Sequence, residues 1–187
     1  MPVLAPKRLF NVEEYYRMAE ARILREDDRV ELIEGEIIEM TPIGSRHAGC
    51  VRFLDNVLTH ILKEKAQVST QNPIRIDEWS EPQPDIALLK PRDDFYRSRH
   101  PSASDILLVI EVADTSVHYD RENKIPLYGR AGIPEAWFVD LERQTIEQFS
   151  QPSKEGYQNS QILQTGQTIS PHAFPHAVFS IGEIMGL

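Results

Sequence analysis

Two acidic residues lie in segments where an ionised carboxylate is costly. Glu111 falls inside the nearly continuous apolar run Ile106–Ala113, and Asp85 directly precedes the apolar run Ile86–Leu89. An unpaired charge in such surroundings costs several kcal/mol, so a partner must compensate it. Two adjacent strands would place both carboxylates on one face, where they can share a divalent cation. For each acid taken singly, a structural ion pair with a basic residue is the alternative.

Lys124 is a third candidate, thirteen residues after Glu111. A helix packed back on the sheet would direct its ammonium group at the two carboxylates, where it can stabilise developing negative charge or position a nucleophilic water. An i,i+4 pair with Asp120 on a solvent-facing helix explains the same spacing and contributes only about 0.2 to 0.5 kcal/mol. The spacing alone leaves both interpretations open.

The composition bounds the class of protein. With 187 residues, 41% hydrophobic and 26% charged, the chain is expected to form one globular domain over residues 1–187. No apolar run approaches the ~20 residues of a membrane span and no signal peptide is recognised, so we expect a cytoplasmic protein without membrane contact. The single cysteine, Cys50, excludes an intramolecular disulfide. A net charge of −9 argues against coating nucleic acid through bulk charge, so any DNA contact must be local.

Hydrophobic periodicity predicts an α/β fold with a mixed sheet. The strand over 106–113 is expected inside the sheet, because it is apolar on both faces. Residues 150–160 are predicted to form a surface loop and Thr115 and Ser116 a turn, and the chain is expected to end in a Pro-rich segment that reaches Leu187. Helices are predicted over 11–25, 45–65 and 120–131, a hairpin around Gly35, and strands over 67–71, 74–76, 86–89, 106–113, 136–140, 145–149 and 158–163.

Several motifs in these segments occur in an order typical of a known family. In chain order they are Gln83-Pro84-Asp85, Ile110-Glu111-Val112-Ala113, Asp120-Arg121-Glu122-Asn123-Lys124, Tyr128 and Gly132-Ile133-Pro134-Glu135-Ala136-Trp137-Phe138-Val139-Asp140. With these motifs, the sequence resembles the restriction-endonuclease-like family of bacterial proteins, part of the P-D-(D/E)-x-K nuclease superfamily, over about residues 12 to 182. The resemblance implies a mixed central β-sheet flanked by helices, with N-terminal and C-terminal β-hairpin additions.

The resemblance implies a magnesium-dependent DNA endonuclease. Asp85 and Glu111 match the family's ligands of Mg²⁺ (or Mn²⁺), with the Val112 carbonyl as a third ligand, and a metal-bound water would attack phosphorus. The superfamily's lysine is expected two residues after the acid, where this chain has Ala113. The resemblance makes Lys124, on the following helix, its substitute.

Other residues near the front of the chain are candidates for the same site. The superfamily often has a further acid in this region, and Glu34 is preferred to Glu36 because it directly precedes Gly35. An exposed hairpin acid explains Glu34 equally well. His47, near the start of a predicted amphipathic helix, either faces the site or borders the core.

Partners follow from local charge and from the resemblance. A loop rich in basic residues is expected to contact DNA phosphates, with a solvated mobile loop as the alternative. The resemblance suggests a homodimer, held by the β-rich C-terminal half. A non-catalytic domain of nuclease fold that binds DNA or protein is the rival function, favoured by Ala113 and the net charge. The basic residues of the loop are Lys90, Arg92, Arg97 and Arg99.

Overall fold

The computed structural model describes residues 6–114 and 119–187, and its centre is a six-stranded mixed sheet. In the order in which they lie in the sheet, its strands are β3 (Gln67–Thr70), β4 (Ile86–Leu89), β5 (Ile106–Ala113), β6 (Glu135–Asp140), β7 (Thr145–Ser153) and β8 (Gly156–Gln164). Among these strands only the β5–β6 pair is parallel. This arrangement confirms the predicted α/β class and the internal position of β5.

Helices cover both faces of this sheet. Helix α2 (Ser45–Leu62) packs on one face, where Leu54 and Leu58 are fully buried against alternate residues of β5 such as Ile110. Helix α3 (Ile125–Arg130) covers the other face. Because side chains alternate along a strand, Glu111 projects toward the α3 side.

The N-terminal part forms a layer beside the sheet. Helix α1 (Val12–Glu20) starts at a capping box in which Asn11 and Glu14 bond each other's backbone N–H groups. The hairpin of β1 (Val30–Ile33) and β2 (Glu36–Glu39) follows, as predicted. Gly35 has φ of +82°, and a Cβ there would lie 2.7 Å from Leu9 Cβ, so the turn requires glycine.

Several predicted elements differ from the structure. Helix α1 ends at Glu20 instead of near residue 25, and residues 74–76 contribute only an isolated bridge from Arg75 to Ser102. The predicted loop over 150–160 is wrong, because β7 and β8 continue through it as a long hairpin. Most residues of β8 are exposed, so its polar composition reflects a solvated outer strand and not a loop.

The end of the chain also contains structure that periodicity missed. Short strands β9 (Thr168–Ile169) and β10 (Phe179–Ser180) pair with each other, and helix α4 (Ile181–Met185) packs against α2. The predicted turn at Thr115 and Ser116 lies outside the described residues. Among the described helices, none has both the length and the apolar character needed to cross a membrane.

Candidate active site

Asp85, which directly precedes β4, lies beside Glu111 of the adjacent strand β5. Strands β4 and β5 are antiparallel, and Ile86 lies opposite Ile110. Asp85, one residue before Ile86, is therefore next to Glu111, one residue after Ile110. Both line one cavity of about 210 Å³. The cavity's charged and strongly polar side chains are Arg29, Glu31, Glu39, His47, Gln71, Gln83, Asp85, Glu111, Tyr119, Asp120 and Lys124.

Hydrogen bonds from three directions orient the Asp85 carboxylate. Its Oδ2 accepts the backbone N–H of Val112 at 2.9 Å and lies 3.0 Å from Nε2 of His47. Its Oδ1 accepts the side-chain amide of Gln71 at 3.1 Å. Burial lowers the pKa of His47, but the hydrogen bond and charge of Asp85 outweigh that effect and leave the pKa raised. His47 therefore faces the site, which settles the choice between its two predicted positions.

Glu111 is the most deeply buried acid of the site. Only 2% of the residue is exposed, and its Oε1 accepts a hydrogen bond from the Tyr128 hydroxyl at 2.5 Å. Burial raises the pKa of Glu111 well above its ordinary value, and the Lys124 charge opposes this only in part. The site is therefore short of positive charge around this carboxyl group.

Lys124 reaches the same cavity from the helix that follows β5. It is the last residue of a π-helical turn over Asp120–Lys124, a wide turn that occurs often at functional sites. Its Nζ lies 3.1 Å from Glu31, 3.4 Å from Glu111 and 3.7 Å from Asp120. Burial lowers the pKa of Lys124, but the carboxylates outweigh it and raise the pKa above its ordinary value, so the buried side chain is a cation.

Glu31 occupies the position for which the sequence analysis chose Glu34. Glu31 is 3% exposed and accepts the backbone N–H of Gln83 at 2.9 Å in addition to its contact with Lys124. Burial raises its pKa, as it does for Glu111. Glu31 is an acid within the β-rich run Val30–Ile33, just as Glu111 is an acid within an apolar strand. The same criterion could therefore have identified Glu31 from the sequence.

The structure does not bring Glu34 to this cavity. Its backbone has φ of +48° at the hairpin turn, its side chain is 60% exposed, and its carboxylate pairs with Arg130. Glu36, the other hairpin acid, pairs with Lys7 at the surface. The sequence analysis left two predictions for Glu34, an additional acid of the site or an exposed acid of the hairpin. The observed position of its side chain agrees with the second.

The basic loop also lies away from the cavity. It leaves β4 after Leu89, whereas Asp85 precedes the other end of that strand. Lys90 donates to the Ser104 carbonyl. Arg92 pairs with Asp94 and Arg99 with Asp105, while among the described residues Arg97 has no acidic partner. Two of the four predicted phosphate contacts are thus already neutralised within the chain.

The residues of the cavity fit a divalent cation with few protein ligands. Asp85 and Glu111 supply carboxylate oxygens, the donors that Mg²⁺ prefers, and Mg²⁺ is commonly held by one or two carboxylates while it keeps several waters. Within residues 6–114 and 119–187, no group of three or more His, Cys, Asp or Glu side chains surrounds a common metal position. Further ligands would therefore be waters and a backbone carbonyl, for which Val112 at the cavity wall is available.

Fold and site together define a restriction-endonuclease-like domain: a mixed sheet with two acids on adjacent strands and a lysine directed at them. The sequence matches the Uma2 family, described as "Putative restriction endonuclease", over residues 12–182, and the chain belongs to this family. A similar fold occurs in a crystal structure described as a "putative nuclease belonging to DUF820" from Anabaena variabilis ATCC 29413. The similarity has a TM-score of 0.75 at 16% identity and covers 95% of this chain and 98% of that chain. No curated protein matches the sequence.

Proposed function

We propose that this protein is a Mg²⁺-dependent DNA endonuclease, with Mn²⁺ as a substitute for Mg²⁺. The observation that carries the proposal is the convergence of Asp85, Glu111 and Lys124 in one cavity. Lys124 lies 3.4 Å from Glu111 and would serve in place of the lysine that is absent at position 113. A nuclease family and a nuclease-like fold support the same reaction class.

Each residue has a distinct role in this proposal. Asp85, Glu111 and the Val112 carbonyl would hold the metal. When bound, the cation would polarise the phosphodiester and lower the pKa of an attacking water. Lys124 stabilises negative charge that develops in the transition state. Glu31 fixes the position of Lys124 and replaces Glu34 as the additional acid.

The rival function, a non-catalytic binding module, also has a supporting observation. Lys124 lies within 4 Å of three carboxylates, an arrangement that a purely structural buried ion network would share. The two functions differ in what a metal does, because a structural network gains nothing from Mg²⁺ whereas a catalytic site requires it.

A cleavage assay tests the proposal. Purified protein is incubated with supercoiled plasmid and with single-stranded DNA in Mg²⁺, in Mn²⁺ and in EDTA. We expect metal-dependent nicking or linearisation that Asp85→Ala abolishes and Glu34→Ala, the same truncation at an exposed acid, leaves intact. Absence of cleavage in both metals, or equal cleavage by Asp85→Ala, would reject the nuclease.

We further propose that the protein acts as a homodimer paired through β8. This strand ends the sheet order, and in the described ranges no strand pairs with its outer edge. Gly156–Gln164 contains no charged residue, and Ile162 is 64% exposed. An uncharged free edge readily pairs with another strand. Light scattering at micromolar concentration should give a dimeric mass that Ile162→Lys reduces to a monomer, and a monomeric wild type would reject the pairing.

A further inference from the structure

The cavity carries an excess of negative charge that a DNA strand must overcome. Five carboxylates line it, against the two permanent cations Arg29 and Lys124. Lys124 is buried and already lies near three of those acids. Even with a divalent metal bound, the phosphates on either side of the scissile one would meet acidic walls. Binding therefore needs cations at the mouth of the cavity that the protein has not already neutralised.

Arg29 meets this requirement on the hairpin side. Its side chain is exposed and lines the cavity, and it has no acidic partner among the residues that the structure describes. Its backbone is fixed, because the Arg29 carbonyl accepts the N–H of Met40 at 2.8 Å at the base of the hairpin. The guanidinium group is thus tethered at the cavity mouth and available to an anion.

Arg52 meets it in a groove that adjoins the cavity. Ile43 and Gln71 line both the groove and the cavity, and Gln71 bonds Asp85. Arg52 is exposed and likewise unpaired within the described part of the chain. Among the described residues that line the groove, Asp55 is the only acid, and it accepts a hydrogen bond from Thr70.

We propose that Arg29 and Arg52 bind backbone phosphates near the scissile phosphodiester of DNA. The inference rests on the proposed nuclease function, whose substrate contacts it assigns. It replaces the basic loop over 90–99 as the principal phosphate-binding surface. Phosphate contacts carry no base information, so these arginines would position the strand without selecting its sequence.

Fluorescence anisotropy with a labelled DNA oligonucleotide tests the assignment, with Ca²⁺ in place of Mg²⁺ to limit cleavage. The wild type, Arg29→Ala, Arg52→Ala, and Arg97→Ala as an exposed, unpaired control are titrated over a range of salt concentrations. We expect the first two variants to weaken binding and each to lower the slope of log K against log salt by about one unit. Arg97→Ala should match the wild type, and Arg29→Lys should restore the slope.

The outcomes distinguish failure of the phosphate-contact assignment from failure of the proposed nuclease function. Wild-type binding that Arg29→Ala and Arg52→Ala leave unchanged would overturn this assignment and spare the nuclease. An equal loss of DNA affinity in Arg97→Ala would also overturn the assignment, because removal of any exposed positive charge would then have the same effect. A wild type that binds no DNA would overturn both. Cleavage by the wild type is measured in parallel, so failure of the nuclease is recognised independently.

Discussion

The ammonium group of Lys124 lies 3.4 Å from Oε1 of Glu111, although the two residues belong to different elements. The position two residues after Glu111 holds Ala113, which is fully buried in the core cluster that also contains Ile125 and Tyr128. A lysine at 113 would have to displace these side chains. The turn of helix after β5 instead brings the Lys124 ammonium group to the Glu111 carboxylate, while packing fills position 113 on the strand.

Replacing Glu111 by Gln should stabilise the metal-free protein at neutral pH. Because the folded pKa of Glu111 is raised, this acid must take up a proton on folding once the pH exceeds the unfolded value near 4.3, and the cost in stability grows up to the folded pKa. Gln retains the shape of the side chain and can accept a hydrogen bond from the Tyr128 hydroxyl. Lys124 keeps an ion-pair partner, because Glu31 lies 3.1 Å from its ammonium group. We expect about 1 kcal/mol or more of added stability at pH 8 and less at pH 4.5, measured by urea unfolding.

The same variant should lose its response to metal. Saturating Mg²⁺ should raise the unfolding free energy of the wild type, by about 2.7 kcal/mol at one hundred times the dissociation constant, and leave Glu111→Gln unchanged. A metal-free Glu111→Gln protein less stable than the wild type, together with no Mg²⁺ effect on the wild type, would identify Glu111 as part of a structural ion pair.

His47 should make folding more favourable at acidic pH. Its folded pKa is raised by Asp85, so its contribution is fully present below the unfolded value near 6.5 and is lost as the pH rises through the folded pKa. Gln at position 47 can keep a donor near Asp85 without a titratable charge. The stability difference between wild type and His47→Gln should thus be larger at pH 5.5 than at pH 8.5. A difference independent of pH would show that His47 contributes only packing and a neutral hydrogen bond.

The sequence identified part of this site because the signals were local. Asp85 and Glu111 stood out as acids beside or within apolar runs, and the central strand was recognisable from its unbroken apolar residues. Glu31 carried the same kind of local signal, an acid in a β-rich run, but its contacts with Lys124 and Gln83 could not be predicted, because both residues are distant along the chain. Likewise β8 was read partly as a loop, since a solvated outer strand held by β7 has no apolar pattern of its own.

Replacing Lys124 by Ala should destabilise the metal-free protein strongly. Glu31, Glu111 and Asp120 would lose the cation they share, and breaking a buried pair costs about 3 to 5 kcal/mol. Mg²⁺ should recover more stability in this variant than in the wild type, because it would restore positive charge near Glu111. Cleavage should nevertheless stay reduced by about 10²-fold or more, since the metal does not replace a transition-state contact.

Lys124→Arg is the control for charge alone. It should keep most of the stability, because the cation remains, but lose part of the activity, because a guanidinium group differs in shape and reach from an ammonium group. Calorimetric unfolding with and without Mg²⁺, beside plasmid cleavage, separates these effects. A stable, fully active Lys124→Ala protein would remove Lys124 from the proposed site.

Glu31 and Glu34 offer a matched pair of changes that tests which acid belongs to the site. Glu31→Gln removes a buried charge 3.1 Å from Lys124 and should reduce cleavage, because the ammonium group loses its nearest anchor. Glu34→Gln removes only a surface pair with Arg130, which contributes about 0 to 1 kcal/mol, and should leave cleavage unchanged. The decisive readout is kcat at saturating Mg²⁺ for both variants, with thermal unfolding to confirm that each is folded. A loss of kcat in Glu34→Gln but not in Glu31→Gln would mean that the hairpin turn, and not the buried strand acid, contributes to catalysis.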